Sequence, residues 1–274
     1  MSDIWDSVAP GWEASAEFVD SQFALATEAL LDAAGVGEGS AVLDLACGPG
    51  GAGLAAAARV GSEGTVLLSD GAPEMVAAAA RRAQLHTNVS TAVFDQSAIA
   101  APDDRFDAVI ARHGLMFVED HAGAVREAAR VLRPGGRYAA MTWGPREENP
   151  WLGCAFDAVG EQFGVPFPPP NVRGPFSLAD PELLAGVLEQ GGLDQVKVQS
   201  RATPTPAPSL EGWWGRVLQL AGPLATAMEG MEPEVREEIK QRALAAGKRV
   251  AQREGDQVVF AGTVLIGSGV ARAG

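Results

Sequence analysis

The amino-acid sequence predicts an α/β fold, a mostly parallel sheet with helices on both faces and a helical or irregular cap. Three observations carry this. Between residues 41 and 143, apolar strand-like runs alternate with helix-like segments over short connections, the pattern of a parallel sheet covered on both faces. The first run leads into a glycine-rich turn and then an alanine-rich segment, and such a corner brings free main-chain N–H groups close to a ligand. Beyond residue 143 the alternation yields to Pro-, Gly- and aromatic-rich sequence, as when later connections of a core grow into a cap. The 274 residues, 47% hydrophobic and 20% charged, suffice for one enlarged domain or a core plus a smaller cap.

Residues 1–40 read as an N-terminal helical lid segment. Phe18, Phe23, Leu25, Ala29, Leu30 and Ala33 recur at roughly helical spacing, and Gly35, Gly37 and Gly39 end the run. Trp5 and Trp12 are expected in an irregular stretch around Pro10-Gly11. The core, 41–143, opens with Ala41–Ala46 as a buried strand, the turn Cys47–Gly51, and Ala52–Val60 as a helix. Thr65–Ser69 is a second strand ending at Asp70. Pro73–Gln84 is a helix with proline early and arginines late. Val89–Phe94 is a third strand, ending at Asp95, and Phe106–Ala111 a fourth. The helix Ala122–Leu132 stops at Arg133-Pro134-Gly135-Gly136, and Arg137–Trp143 is the fifth strand. In the cap, 144–254, Pro181–Gln190 reads as a helix, Gln195–Ser200 as a strand returning to the core, and 209–254 as helical. Gln257–Ile266 is the candidate last strand, within a final strand and tail at 255–274. There is no internal repeat.

The formal net charge is −14 and the pI about 4.6. Such a surface repels phosphate backbones and anionic lipid, so no nucleic-acid partner is expected. Cys47 and Cys154 form neither a metal-ligand pair nor a disulfide framework. The acidic start MSDIWDSVAP lacks the apolar core of a signal peptide, and no run approaches transmembrane length. A cytoplasmic protein with no bound metal and no membrane insertion is expected; oligomeric state is left open.

Gly48, Gly50 and Gly53 satisfy G-x-G-x-x-G, and Asp70 follows Gly50 by 20 positions at the end of a strand. That is also the layout of an NAD(P)-dependent oxidoreductase, with the acid on a ribose. Two features favour another ligand. Asp44 lies inside the first strand, where a buried carboxylate needs a partner that a cationic or amino-bearing ligand would supply and a pyrophosphate would not. Pro49 stands between the first two glycines, giving D-L-A-C-G-P-G-G.

That string resembles the first motif of the class I S-adenosylmethionine (SAM) dependent methyltransferases. The resemblance continues through Leu68–Met75 as a second motif, Phe94–Ser97 as a third, Phe106–Ile110 as the fourth strand and Arg130–Gly136 as the approach to the fifth. All stand in order over about residues 40–143. Within that family the chain is most similar to the ubiquinone/menaquinone-type small-molecule methyltransferases, including the opening W-D-x-V-A-P-G-W. The resemblance implies a Rossmann-like sheet with an antiparallel last strand, SAM as cofactor and S-adenosylhomocysteine as product. It assigns Asp44, Ala46, Gly48 and Gly50 to the loop and methionyl end, Asp70 and Gly71 to the ribose side, and Met75, Asp95 and Gln96 to the adenine. Arg112 joins this group, with an acidic substrate or a surface carboxylate as its other possible partners. SAM is cationic and carries no phosphate, so carboxylates suit it.

Methyl transfer is an in-line displacement that needs chiefly alignment and exclusion of water; a base is required only if the nucleophile must lose a proton. The fourth strand runs on into Arg112-His113-Gly114. His113, where the family has an aromatic residue, faces the transfer zone as candidate general base or substrate hydrogen-bonder; its other role is packing at the strand end or contact with SAM. All six tryptophans lie outside residues 13–142, which suits both a cap core and an aromatic lid over an apolar acceptor. Trp12, Trp143 and Trp213 are the candidate substrate contacts. The expected function is SAM-dependent O-, C- or N-methylation of a small apolar or aromatic molecule. The alternatives are an oxidoreductase and a SAM-binding protein without transferase activity.

Overall fold

The structure, a computed structural model, describes residues 2–169 and 172–272. Met1, cap residues Pro170 and Asn171, and tail residues Ala273 and Gly274 lie outside the described residues. Three helices come first, α1 (Ser2–Ala14), α2 (Ala16–Gln22) and α3 (Ala24–Ala33). The core follows as β1 (Ala41–Leu45), α4 (Gly51–Val60), β2 (Thr65–Asp70), α5 (Pro73–Arg82), β3 (Val89–Val93), β4 (Phe106–Arg112), α6 (His121–Val131) and β5 (Leu132–Trp143). Then come α7 (Pro150–Phe163), α8 (Pro181–Gln190), β6 (Leu193–Ala202), β7 (Thr205–Ala207), α9 (Leu210–Leu220), α10 (Gly222–Glu229), α11 (Pro233–Val250), β8 (Gln252–Glu254), β9 (Gln257–Phe260) and β10 (Thr263–Ala271).

The main sheet has seven strands in the order β3-β2-β1-β4-β5-β10-β6. The first five are mutually parallel, and β10 runs antiparallel to both β5 and β6, which agrees with the expected Rossmann-like sheet and its antiparallel last strand. β1 is central, with Asp44 opposite Leu68 on one side and Ile110 on the other. Val42, Leu43 and Leu45 are buried, as a strand covered on both faces requires. The strand order reverses between β1 and β4. A crevice therefore opens beyond the carboxyl ends of these two strands, where doubly wound sheets take their ligands.

Besides Gln252–Glu254, read as helical and found as strand β8, three elements differ from the sequence reading, each through partners distant in the chain. The opening W-D-x-V-A-P-G-W is helical, with Pro10 inside α1. Proline costs a helix interior about 3 kcal/mol, but Ala9 packs with Ala72 and Met75 and is flanked by Trp5, Val8 and Trp12; burial of this face offsets the lost hydrogen bond. The expected strand Gln257–Ile266 is two strands. β9 joins β7 and β8 in a separate three-stranded sheet, whereas β10 enters the core. The chain breaks at Gly262, whose carbonyl accepts from the Thr203 N–H at 2.7 Å. A Cβ at Gly262 would stand 2.2 Å from the Thr203 carbonyl oxygen, so only glycine permits this crossing. Finally, β5 begins at Leu132, and the Pro-Gly-Gly segment is absorbed as a register shift against β4.

The cap helices meet around Trp213, which is fully buried and stacks on Phe260 at 4.7 Å. Among the described residues no helix is long and apolar enough to cross a membrane.

Candidate cofactor and transfer site

The turn after β1 coils tightly because three residues take positive φ: Ala46 (51°), Gly48 (52°) and Gly50 (86°). Gly50 caps α4 and packs on Leu68 and Ala79. Asp44, two residues before that turn, is fully buried, and its Oδ2 accepts the Gly53 N–H at 2.7 Å. Its Oδ1 is buried with no partner. Neither Asp44 nor Gly50 reaches the wall of the cavity described below. Asp44 ties α4 to β1, and Gly50 gives the turn its left-handed corner.

Burial pushes the Asp44 carboxyl up to about 7, against the opposing pull of the Arg112 charge and the Gly53 N–H. A folded pKa above the unfolded one contributes stability that is complete below about pH 4 and is lost as pH rises through 7. Asp44→Asn cannot ionise. The stability difference between wild type and this variant is therefore expected to move in the variant's favour between pH 5 and pH 8, by on the order of a few kcal/mol. Urea unfolding of both proteins at the two pH values measures it, and a constant difference would show that Asp44 stays ionised.

Asp70 ends β2 and is held by two main-chain donors, Gly48 N–H to Oδ2 and Ala72 N–H to Oδ1, both at 2.9 Å. Burial raises its pKa while these donors lower it. Each carboxylate oxygen keeps a second lone pair for a ligand. Asp95 Oδ1 accepts the Ser97 N–H at 2.7 Å. Gly71 leaves room beside it, since a Cβ there would lie 3.4 Å from Asp95 Oδ2. Gln96 Oε1 is buried without a donor.

One cavity of about 570 Å³ joins these groups to an aromatic chamber. Asp70, Gly71, Met75, Asp95 and Gln96 line the polar end, and Ala46 and Gly48 the neck. In the chamber His113 stacks on Trp143 (centroids 4.3 Å apart, 17° between planes), and Phe23 meets both rings edge-on. Trp151 lies 5.1 Å from Trp143, and Phe156 and Trp213 complete the wall. Trp12 also lines the cavity, its Nε1–H donating to the Leu220 carbonyl at 3.1 Å. Trp213 Nε1–H donates to the Trp151 carbonyl at 2.8 Å. Both ring nitrogens of His113 and the Trp151 Nε1–H are buried without partners. Burial, seconded by the Arg112 charge, drops His113 to about 3, so its imidazole is neutral near pH 7. The neighbouring Cys47 thiol is pushed up by burial and by Asp44, which leaves it unreactive.

Arg112 points its guanidinium at the lid: one nitrogen donates to Thr27 Oγ1 at 3.1 Å and another to Asp20 Oδ1 at 3.0 Å. Asp20 on α2 also binds Arg82 at 2.6 Å, and Arg82 reaches the Pro49 carbonyl. This bridge from lid to loop closes over Gly51, where a Cβ would fall 1.8 Å from Asp20 Oδ1. Sequence reading missed Asp20, Arg82, Phe23 and Trp151 as site residues. Asp20 carries no motif and reads as the polar face of a helix. Phe23 belongs to a helical stripe that reads as core. Only the clustering of tryptophans outside the nucleotide-binding half pointed toward Trp151.

The chain's residues 42–136 match the family model described as a methyltransferase domain. An uncharacterized protein of Mycobacterium tuberculosis is 40% identical over 115 residues, 42% of this chain and 41% of that protein, so the chain spans about two fifths of the length of that relative. The ubiquinone/menaquinone biosynthesis C-methyltransferase of Proteus mirabilis is 30% identical over 182 residues, covering 61% of this chain and 71% of the relative. The chain belongs to the class I SAM-dependent methyltransferases. A likeness in fold extends past the matched residues: the YcgJ protein of Bacillus subtilis, 20% identical, superposes with a TM-score of 0.56 over 90% of this chain and 98% of that one. The methyltransferase motifs thus fall on the turn, the ends of β2 and β3, and β4, around one cavity.

Proposed function

We propose that this protein transfers the methyl group of SAM to a small apolar or aromatic acceptor. The observation that carries the reading is the continuity of the cavity, with carboxylates and an unpaired amide oxygen at one end and an aromatic chamber at the other. The polar end fits SAM: Asp70 offers two oxygens to the ribose hydroxyls, and Asp95 with the orphaned Gln96 Oε1 suits the adenine amino group. Ala46 and Gly48 bring main chain to the methionyl part, and Asp44 acts through the loop it holds. Bound SAM supplies an electrophilic methyl on sulfonium. A dinucleotide fits less well, because the Gly48 N–H is already taken by Asp70 and the Asp20 carboxylate covers the start of α4. Residues 1–40 then serve as the lid, 41–143 as the SAM-binding core, and 144–254 as the substrate cap around the returning strand β6.

His113, Trp143, Trp151 and Trp213 form the acceptor wall in this reading. Stacked rings orient a planar acceptor and exclude water, which supplies much of the advantage a methyl transfer needs. The neutral His113 and the Trp151 Nε1–H have unmet hydrogen-bonding capacity, matched by an oxygen on the acceptor. Calorimetry with SAM and with NAD, followed by transfer of radiolabelled methyl to a panel of naphthols and quinols, tests the proposal. Binding of NAD in place of SAM, or SAM binding without transfer to any member of the panel, would count against it. The rate between pH 6 and 8 is expected to show no inflection from His113, because its imidazole is already neutral there. An inflection near 6.5 that vanishes in His113→Gln would overturn that assignment.

A further inference from the structure

We infer that Arg216 selects acceptors bearing a carboxylate, so that the substrate is an amphiphile with an apolar ring in the chamber and an anionic group at the cap. The inference rests on the methyltransferase reading of the cavity and goes beyond it in naming the acceptor's charge. Arg216 projects from α9 on the same face as Trp213, Val217 and Leu220, and all four line the cavity. Its guanidinium sits over the Phe18 ring of α2, 3.4 Å from the centroid. The other two arginines of the wall, Arg82 and Arg112, are both bound to Asp20. Among the described residues Arg216 has neither an ion-pair partner nor a hydrogen-bond acceptor, although the chain holds 35 acidic residues against 21 basic ones.

Exposed arginines such as Arg105, Arg236 and Arg242 also lack an ion pair among the described residues, but of the three arginines that line the cavity only Arg216 does. Burial also disfavours its charge, since its pKa is lowered with no carboxylate to restore it. The guanidinium carbon lies over the Phe18 ring and no acceptor occupies its N–H groups, which leaves the fork available for bidentate capture of a carboxylate. A ring seated by Trp213, one turn away on the same helix, can therefore carry its anionic substituent to Arg216.

The test uses 1-naphthaleneacetate and its primary amide, which have nearly the same shape and differ in charge, with the full-length protein saturated with S-adenosylhomocysteine. Quenching of tryptophan fluorescence reads the affinities. Wild type is expected to bind the anion about tenfold or more tightly than the amide, the scale of a charge-assisted pair. Arg216→Gln is expected to abolish that preference and leave the amide affinity within about twofold; Arg216→Lys should restore part of it, lacking the fork. Equal affinities in wild type, or a preference that survives in Arg216→Gln, would overturn the inference while leaving the cofactor reading intact. Failure of S-adenosylhomocysteine itself to bind would instead strike the methyltransferase reading. Binding of the cofactor product but of neither naphthalene would reject the aromatic acceptor chamber and this inference with it.

Discussion

Asp70→Ala is expected to weaken SAM binding by at least about 100-fold. Two charge-assisted hydrogen bonds to vicinal hydroxyls are each worth roughly 1.5–3 kcal/mol, and 1.4 kcal/mol is tenfold in affinity. The same carboxylate holds the Gly48 and Ala72 amides, so its loss also unfastens the loop beneath the methionyl group. Asp70→Asn keeps one acceptor oxygen and should fall between the two. Because burial raises the Asp70 pKa, its ionised form adds little to folding, and both variants are expected to stay folded by circular dichroism. Calorimetric titration that found SAM affinity unchanged in Asp70→Ala would place the ribose elsewhere in the cavity.

What made Asp70 readable in advance was local. A strand in a parallel sheet is a short apolar run, its end is marked by the first polar residue, and ligand groups collect at such ends. Asp95 and His113 were located by the same logic, and the loop by its glycines. Asp44's position inside the strand announced its burial, but the amide of its own chain that binds Oδ2, Gly53 N–H, is not one that spacing alone singles out. Asp20, Phe23 and Arg216 were invisible for a different reason. Asp20 and Arg216 lie on amphipathic helices and Phe23 between two of them; periodicity there tells inside from outside, while the identity of the surface met depends on the path of residues far along the chain. Phe18 on α2 and Arg216 on α9 touch although most of the core lies between them in the chain. The split of the last strand has the same origin: β9 and β10 carry similar apolar patterns, and only their pairing partners, β7 with β8 against β5 with β6, separate them.

The glycines of the loop look alike in the sequence and are expected to fail differently, with Gly53→Ala the most damaging to folding. A Cβ at Gly53 would stand 2.0 Å from Leu68 Cδ2 and 2.8 Å from Asp44 Oδ2. Leu68 and Asp44 are both fully buried between neighbouring strands, so neither can swing aside. Relief requires α4 to lift from β1 and β2, which breaks the Gly53–Asp44 hydrogen bond and strands a buried carboxylate. Overpacking costs typically 1–3 kcal/mol and a buried polar group left unpaired another 1–3. The sum, about 2–6 kcal/mol, corresponds to a fall in Tm of roughly 4 °C or more for a chain of this size. Gly51→Ala meets the ends of two side chains instead, the Asp20 carboxylate, 29% exposed, and the Arg112 guanidinium. That variant is expected to lose less in Tm than Gly53→Ala, since the Asp20 carboxylate can turn toward solvent without lifting α4 from the sheet. Its damage should appear as faster amide exchange across α2, where the bridge to Arg82 and Arg112 is broken. Calorimetric melting and hydrogen exchange of the two variants side by side separate the cases. Equal melting temperatures would mean that α4 is not seated on β1 and β2 as closely as Asp44 and Leu68 require.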